Sequence, residues 1–307
     1  MAETSANPLV YYSYPGLMTD PGEHVGLLKG LPAEIPALAR IVHTNLLHIF
    51  WAQAYNQELS DERKAGVQLR RVSTKLAQIK AMDDRLLTVP RSPEKRLVGN
   101  CRDFSVLMVA LLQHQGIPAR ARCGFGTYFV PDHFEDHWVA EYWNADERRW
   151  VLVDAQLDEL QCKALNITFD PCDVPRDQFI TGGQAWQMCR SGQADPDKFG
   201  IFDMHGLWFV RGDMLRDLAA LNKMELLPWD SWGVMIAPDA DSDSNMTLMD
   251  RAAELTLAGN EDFADLRAFY EEQPAVRVPE VIHTYPNGPT PLQFNVLADE
   301  IVSIPTT

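Results

Sequence analysis

The sequence predicts an α+β fold: a helix opened by a cysteine packs on an antiparallel sheet, with extra N- and C-terminal helices around that core. Three observations carry this. From Cys101, apolar side chains recur at Phe104, Leu107, Met108, Leu111 and Leu112, the spacing of one buried helical face. His137–Trp143 alternates with period two, and after the polar turn Asn144–Arg149 the run Trp150–Asp154 reads as a second strand. Helical periodicity also recurs on both sides of this stretch.

Taken in order, residues 1–30 read as an extended arm with turns at Pro15-Gly16 and Pro21-Gly22. A helix is expected from Pro32 to Asn56, with Ile35, Leu38, Ile41, Val42, Leu46, Leu47 and Phe50 on its apolar side. His43 and His48 are five apart on it, do not share a face, and read as structural or surface residues. A second helix runs from the N-cap Ser60 to Met82. Its Arg63, Lys64, Arg70, Arg71, Lys75 and Lys80 read as a solvated basic stripe. Leu87–Leu97, with two prolines, is a loop that delivers the chain to Cys101. Asn100 is a favoured N-cap there, and Gly116-Ile117-Pro118 is the stop signal.

After that helix, Pro118–Phe129 reads as strand, with Gly124 and Gly126 allowing a bend or a close approach. Val130–Asp136 is a loop before His137. Past Asp154 the sequence gives short helices over Ala155–Leu165 and Thr181–Arg190, a loop over Asn166–Arg176, and an amphipathic helix or strand-to-helix segment over Leu207–Lys223. Aromatic residues follow at Trp229 and Trp232, then an acidic linker over residues 237–245. Its Asp239, Asp241 and Asp243 lack the glycine and terminal glutamate of a calcium loop. Helices over 246–258 and 263–272 and a polar tail complete the chain. This divides the protein into an N-terminal arm and helical lobe (1–84), a core (85–160) and a C-terminal helical and loop extension (161–307) packed on the core as one globule.

Bulk composition narrows the function. The 307 residues are 46% apolar and 23% charged, as in a soluble globular protein long enough for a substantial core. A formal charge of −16 leaves no basic footprint for nucleic acid or for anionic membrane surfaces. The N-terminus has no signal-peptide pattern and no window reaches membrane-spanning length. Five widely spaced cysteines with no Cys-x-x-Cys pair point to a reduced, cytoplasmic setting without a structural zinc site. No metal and no cofactor is expected.

The chemistry-bearing residues are Cys101, His137 and Asp154. Cys101 falls in the first helical turn, where unpaired N–H groups and the helix dipole favour a thiolate. His137, Val139, Glu141 and Trp143 share one face of their strand. If Trp143 pairs with Trp150, His137 is the diagonal neighbour of Asp154. A two-residue slip would place the two directly opposite. Either register puts them about 5–8 Å apart at Cβ, within hydrogen-bonding reach. Nucleophile, base and an orienting carboxylate are what a thiol acyl-transfer site needs. His133, in the loop, is a rival base.

The same residues resemble the transglutaminase-like superfamily of papain-related cysteine enzymes. The match lies in Cys101 opening a helix, the Gly116-Ile117-Pro118-Ala119-Arg120 turn, His137 followed by Trp138, and Asp154 ending a Trp-x-x-x-Asp strand. It covers residues 85–160 and implies a papain-like core with a Cys-His-Asp triad. It also implies attack on an amide carbonyl of a small-molecule or peptide substrate through a thioester. Water would then give hydrolysis, an amine transamidation. In that family a Gln or Trp upstream of the cysteine often helps hold the oxyanion, which makes Trp51 and Gln53 candidates beside Asn100. Trp138, His205 and Arg211 are candidate substrate contacts. The competing expectations are a non-catalytic scaffold on the same fold and a metalloenzyme using His133, His137 and Asp154.

Overall fold

The computed structural model describes residues 7–302. Of the segment expected as an extended arm, residues 1–6 lie outside the described residues; the rest forms helix α1 (Pro8–Tyr12), capped by the Asn7 side chain, and a 3-10 helix over Gly22–Leu28. Tyr12, Met18, Leu27 and Leu28 are buried, so apolar burial fixes its path.

The helix expected from Pro32 to Asn56 ends early. In α2 (Ile35–Asn45) the terminal Asn45 turns its amide back to the Ile41 carbonyl and accepts from Arg91. The next three residues form β1 (Leu46–His48), parallel to β2 (Leu97–Gly99), and Ile49–Tyr55 is a 3-10 helix. The long helix expected after Ser60 is also broken. It splits into α3 (Asp61–Lys64), a 3-10 turn over Ala65–Gln68, and α4 (Val72–Met82). At the break, a Cβ on Gly66 would stand 2.5 Å from the Val98 carbonyl oxygen, so a side chain is excluded where this turn meets β2.

The basic stripe is a further correction. Arg70 and Lys75 are buried, paired with Asp230 at 2.6 Å and Asp103 at 3.0 Å. Charges removed from water need such partners, and these draw distant parts of the chain together.

Helix α5 (Cys101–His114) begins on a capping box: Asn100 Oδ1 accepts from the Asp103 N–H, and Asp103 Oδ2 from the Asn100 N–H. Strands β3 (Ala119–Gly126), β4 (Phe134–Asn144) and β5 (Arg149–Val153) follow. Next come α6 (Glu159–Ala164), β6 (Phe179–Thr181), α7 (Gly182–Arg190), β7 (Phe199–Ile201), β8 (Met204–His205) and α8 (Leu207–Leu221). The chain continues through β9 (Asp230–Ser231), α9 (Asp243–Leu257) and α10 (Phe263–Glu272). Residues expected as a polar tail instead build β10 (Val281–Thr284), β11 (Leu292–Asn295) and β12 (Glu300–Val302), which join β9 in a four-stranded sheet.

The larger sheet positions the candidate site. It runs β6-β3-β4-β7-β8, and β5 also pairs with β4. One edge of β4 is covered by β3 over Glu135–Tyr142. The other edge is shared: β7 pairs with Phe134 and Glu135, and β5 with Ala140–Asn144. Residues 136–139 therefore face a notch in the sheet. Helix α5 packs its Phe104–Leu112 face on Ala121, Cys123, Trp138 and Ala140, while α7, α8 and α9 form a second core around Phe125 and Phe199. The architecture is α+β, with a cysteine-initiated helix against a sheet that is antiparallel except for the parallel β4–β7 pairing.

Candidate active site

Strand pairing sets the histidine and aspartate. Trp143 stands opposite Trp150, so Asp154 leaves the end of β5 diagonally across from His137. Because the edge of β4 is open at this point, the two side chains meet there: His137 Nε2 lies 2.8 Å from Asp154 Oδ2. Both residues are buried, at 2% and 1% exposure.

Asp154 is held from several sides. Its Oδ2 also accepts from the Tyr128 hydroxyl at 2.6 Å, and its Oδ1 from the Gln156 N–H at 3.0 Å. Its own N–H donates to the Pro171 carbonyl. Burial pushes the carboxyl up, but His137, Tyr128 and the Gln156 N–H together hold it below the usual carboxylate range. The result is an ionised carboxylate that engages Nε2 and leaves Nδ1 as the ring nitrogen that can work on a thiol.

Cys101 is the first residue of α5, as expected, and its sulfur lies against the backbone N–H groups of Trp138 and Arg102. Trp138 follows His137 on β4, so this contact carries the helix N-terminus to the notch. Tyr128, bound to Asp154, also lies near Cys101. The expected depression of the thiol pKa does not hold. Burial, together with the nearby Asp136 carboxylate, raises Cys101 well above its ordinary value, and the two N–H groups offset only part of that. The resting group is a neutral thiol, which needs a base to become a nucleophile.

The other expected residues fare differently. Asn100 Nδ2 is buried without a hydrogen-bond partner directly before Cys101, so it keeps a free donor. Trp51 and Gln53 lie on the 3-10 helix after β1, half-buried and exposed respectively. Trp138 is fully buried in the core beneath α5. That corrects its reading as a substrate contact. Arg211 is likewise corrected: it is buried and bound to the Ala240 carbonyl and Asp241. His205 is exposed on β8 and contacts Asp197. His133 faces Glu135 and the Gly200 carbonyl, away from the Asp154 carboxylate that holds His137.

Two residues escaped the sequence reading. Tyr128 lies just beyond β3, where no periodicity marks a facing. His48, read as structural or surface, is buried at the end of β1, beside Gly99, with its ring 6.0 Å from that of Phe104. Burial, with added repulsion from nearby His137, lowers its pKa to about 3, so it stays neutral. His43, His48, Tyr55, Gln156, Asp158 and Gln161 line a small polar cavity on this side of Asp154. Phe50, two residues past His48, is exposed and touches Phe202 of the β7–β8 turn, ring to ring at 5.3 Å.

A cysteine opening a helix and a buried histidine–carboxylate pair make up a candidate site on an α+β scaffold. Residues 53–155 match the transglutaminase-like superfamily. Among solved structures, the chain is similar to that of a "putative cysteine protease" from Cytophaga hutchinsonii, with 15% sequence identity and a TM-score of 0.33. The match covers 56% of this chain and 45% of that one, less than half of the other protein's length. No curated protein matches the chain.

Proposed function

We propose that the protein is a thiol-dependent acyl-transfer enzyme that cleaves an amide bond through a Cys101-His137-Asp154 triad, with hydrolysis slightly ahead of transamidation. The observation that carries this reading is the buried 2.8 Å contact between His137 Nε2 and Asp154 Oδ2, set where Cys101 reaches the Trp138 N–H.

The geometry supports the following sequence. Asp154 fixes the imidazole with its proton on Nε2, so Nδ1 carries the lone pair. Nδ1 takes the Cys101 proton as sulfur attacks the substrate carbonyl carbon, and the C=O electrons move onto oxygen. The Trp138 and Arg102 N–H groups stabilise the charge that grows on sulfur. The Cys101 N–H and Asn100 Nδ2 are the donors for the oxyanion. Collapse of the tetrahedral intermediate breaks the C–N bond. His137 protonates the departing nitrogen, and a thioester on Cys101 remains. Water or a second amine, deprotonated by the same imidazole, then attacks the thioester and returns the thiol. Because Cys101 rests as a thiol, deprotonation belongs to the reaction itself rather than to a preformed ion pair.

The test uses p-nitrophenyl acetate as a small acyl donor, with the acetylated residue identified by mass spectrometry. The expected result is a thioester on Cys101 alone, forming about 100-fold or more slowly in His137→Ala, the usual scale of general base catalysis. Equal rates in the wild type and the variant, or acetylation spread evenly over the five cysteines, would sink the triad and leave the fold as a scaffold.

A further inference from the structure

A second cluster of reactive side chains lies under the sheet, outside the proposed triad. Cys123 on β3, Asp136 on β4 and Asp213 on α8 each bring one ligand-type atom within 4.8 Å of the others, and all three residues are buried. Strand register explains two of them: Phe125 pairs with Asp136 and Cys123 with Trp138, so Cys123 and Asp136 are diagonal neighbours on one face. Helix α8 crosses that face. Asp217, one turn after Asp213, anchors it there by accepting from the Cys123 N–H at 3.0 Å and from Arg122.

Asp136 and Asp213 face each other closely enough to compete for one proton, yet each keeps an oxygen without a donor. Asp136 Oδ1 and Asp213 Oδ2 are buried with no hydrogen-bond partner, in side chains only 8% and 1% exposed. A buried acceptor left unpaired is costly, and such groups normally find a proton, a water or a cation. The neighbouring cation is Arg216, which gives Nη1 to Asp213 Oδ1 at 3.1 Å and Nη2 to the Asp230 carbonyl. With the thiol ionised, three anionic ligands against one guanidinium leave two negative charges, which one divalent ion would neutralise.

We propose that Cys123, Asp136 and Asp213 form a buried site for a single thiophilic divalent cation, of which Zn2+ is the physiological representative. One sulfur and two carboxylate oxygens, with a fourth position for water, suit tetrahedral zinc at about 2.0–2.3 Å per ligand. Calcium and magnesium, which take six or more oxygen ligands, do not fit three ligands that include a thiolate. No spacing in the sequence announces this set, because its members come from two strands and a helix far along the chain. The site uses neither Cys101 nor His137, although Asp136 also stands near the Cys101 thiol.

The test uses the full chain, stripped with a chelator and then titrated with Cd2+, whose bond to a thiolate absorbs in the ultraviolet. Zn2+ stoichiometry is measured in parallel by elemental analysis after dialysis. The expected result is one equivalent of either metal, with the cadmium band retained in Cys101→Ala and lost in Cys123→Ala. Asp213→Asn should weaken binding at least tenfold while far-ultraviolet dichroism shows the fold kept. Three outcomes overturn the proposal. Well under one equivalent in the wild type means that Asp136 and Asp213 share a proton instead. A band that survives Cys123→Ala, or one that vanishes in Cys101→Ala, assigns the metal to another thiol. The wild-type stoichiometry decides the matter even where a variant fails to fold.

Discussion

Tyr128→Phe isolates one bond in the candidate site. The substitution removes a single hydroxyl, which donates to Asp154 Oδ2 at 2.6 Å and shares that oxygen with His137 Nε2. A hydrogen bond to an ionised group contributes about 1.5–3 kcal/mol. The lower half of that range applies here, because Asp154 keeps His137 and the Gln156 N–H and no donor is left stranded. Unfolding entropy scales with length at about 2.1 cal/mol/K per residue. For 307 residues the loss therefore lowers the melting temperature by about 2–4 °C. The assay is thermal unfolding by circular dichroism at pH 7, paired with 15N-resolved spectra of the histidine rings. Asp154 should still hold the proton on Nε2, so the His137 tautomer is expected to persist in Tyr128→Phe and to be lost in Asp154→Asn. A melting temperature unchanged within a degree would refute the claim that the hydroxyl supports Asp154. A tautomer lost with Tyr128→Phe would refute the claim that Asp154 alone orients the ring.

The remaining predictions concern burial. His48 titrates near 6.5 when unfolded and at about 3 when folded, so between those values the unfolded chain binds the extra proton. Its contribution is fully present above pH 6.5 and falls by about 3 kcal/mol between pH 7 and pH 4. Urea titrations at both pH values should show this loss, and His48→Gln should flatten it. Asp103 neutralises Lys75 at 3.0 Å and Arg102 at 3.1 Å in a fully buried setting, so Asp103→Asn should cost about 3–5 kcal/mol by urea denaturation. A loss under about 1 kcal/mol would mean that water reaches the two cations.

The cysteine helix and the hairpin were legible because each is local. The helix carries its own periodicity, cap and stop signal, and the Trp143–Trp150 pairing follows from the alternation and a short turn. The His137–Asp154 contact follows from that register. What was not legible depends on partners far along the chain. Leu46–His48 read as helix because the parallel pairing with Leu97–Gly99 that turns it into strand lies beyond any local window. Arg70 and Lys75 read as solvated because Asp230 and Asp103, which bury them, are not neighbours in sequence. The short strands after Val281 are hidden by their proline- and glycine-rich turns. The thiol pKa was misread for a related reason: a helix N-terminus can be seen in sequence, whereas the depth of burial that outweighs it cannot.

Three buried arginines before residue 156 find acceptors after residue 216. Arg122 forks onto Asp217, Arg102 donates through Nε to the Glu225 carbonyl at 2.9 Å, and Arg70 grips Asp230 with two bonds. All three guanidiniums are buried. The stretch that matches the superfamily, 53–155, is therefore not portable. Excised, it would leave Arg70 without its carboxylate, and Arg122 and Arg102 with only Glu141 and Asp103 as partners. The two segments are thus electrostatically matched: a change at Asp217 or Asp230 on one side calls for a compensating change at Arg122 or Arg70 on the other.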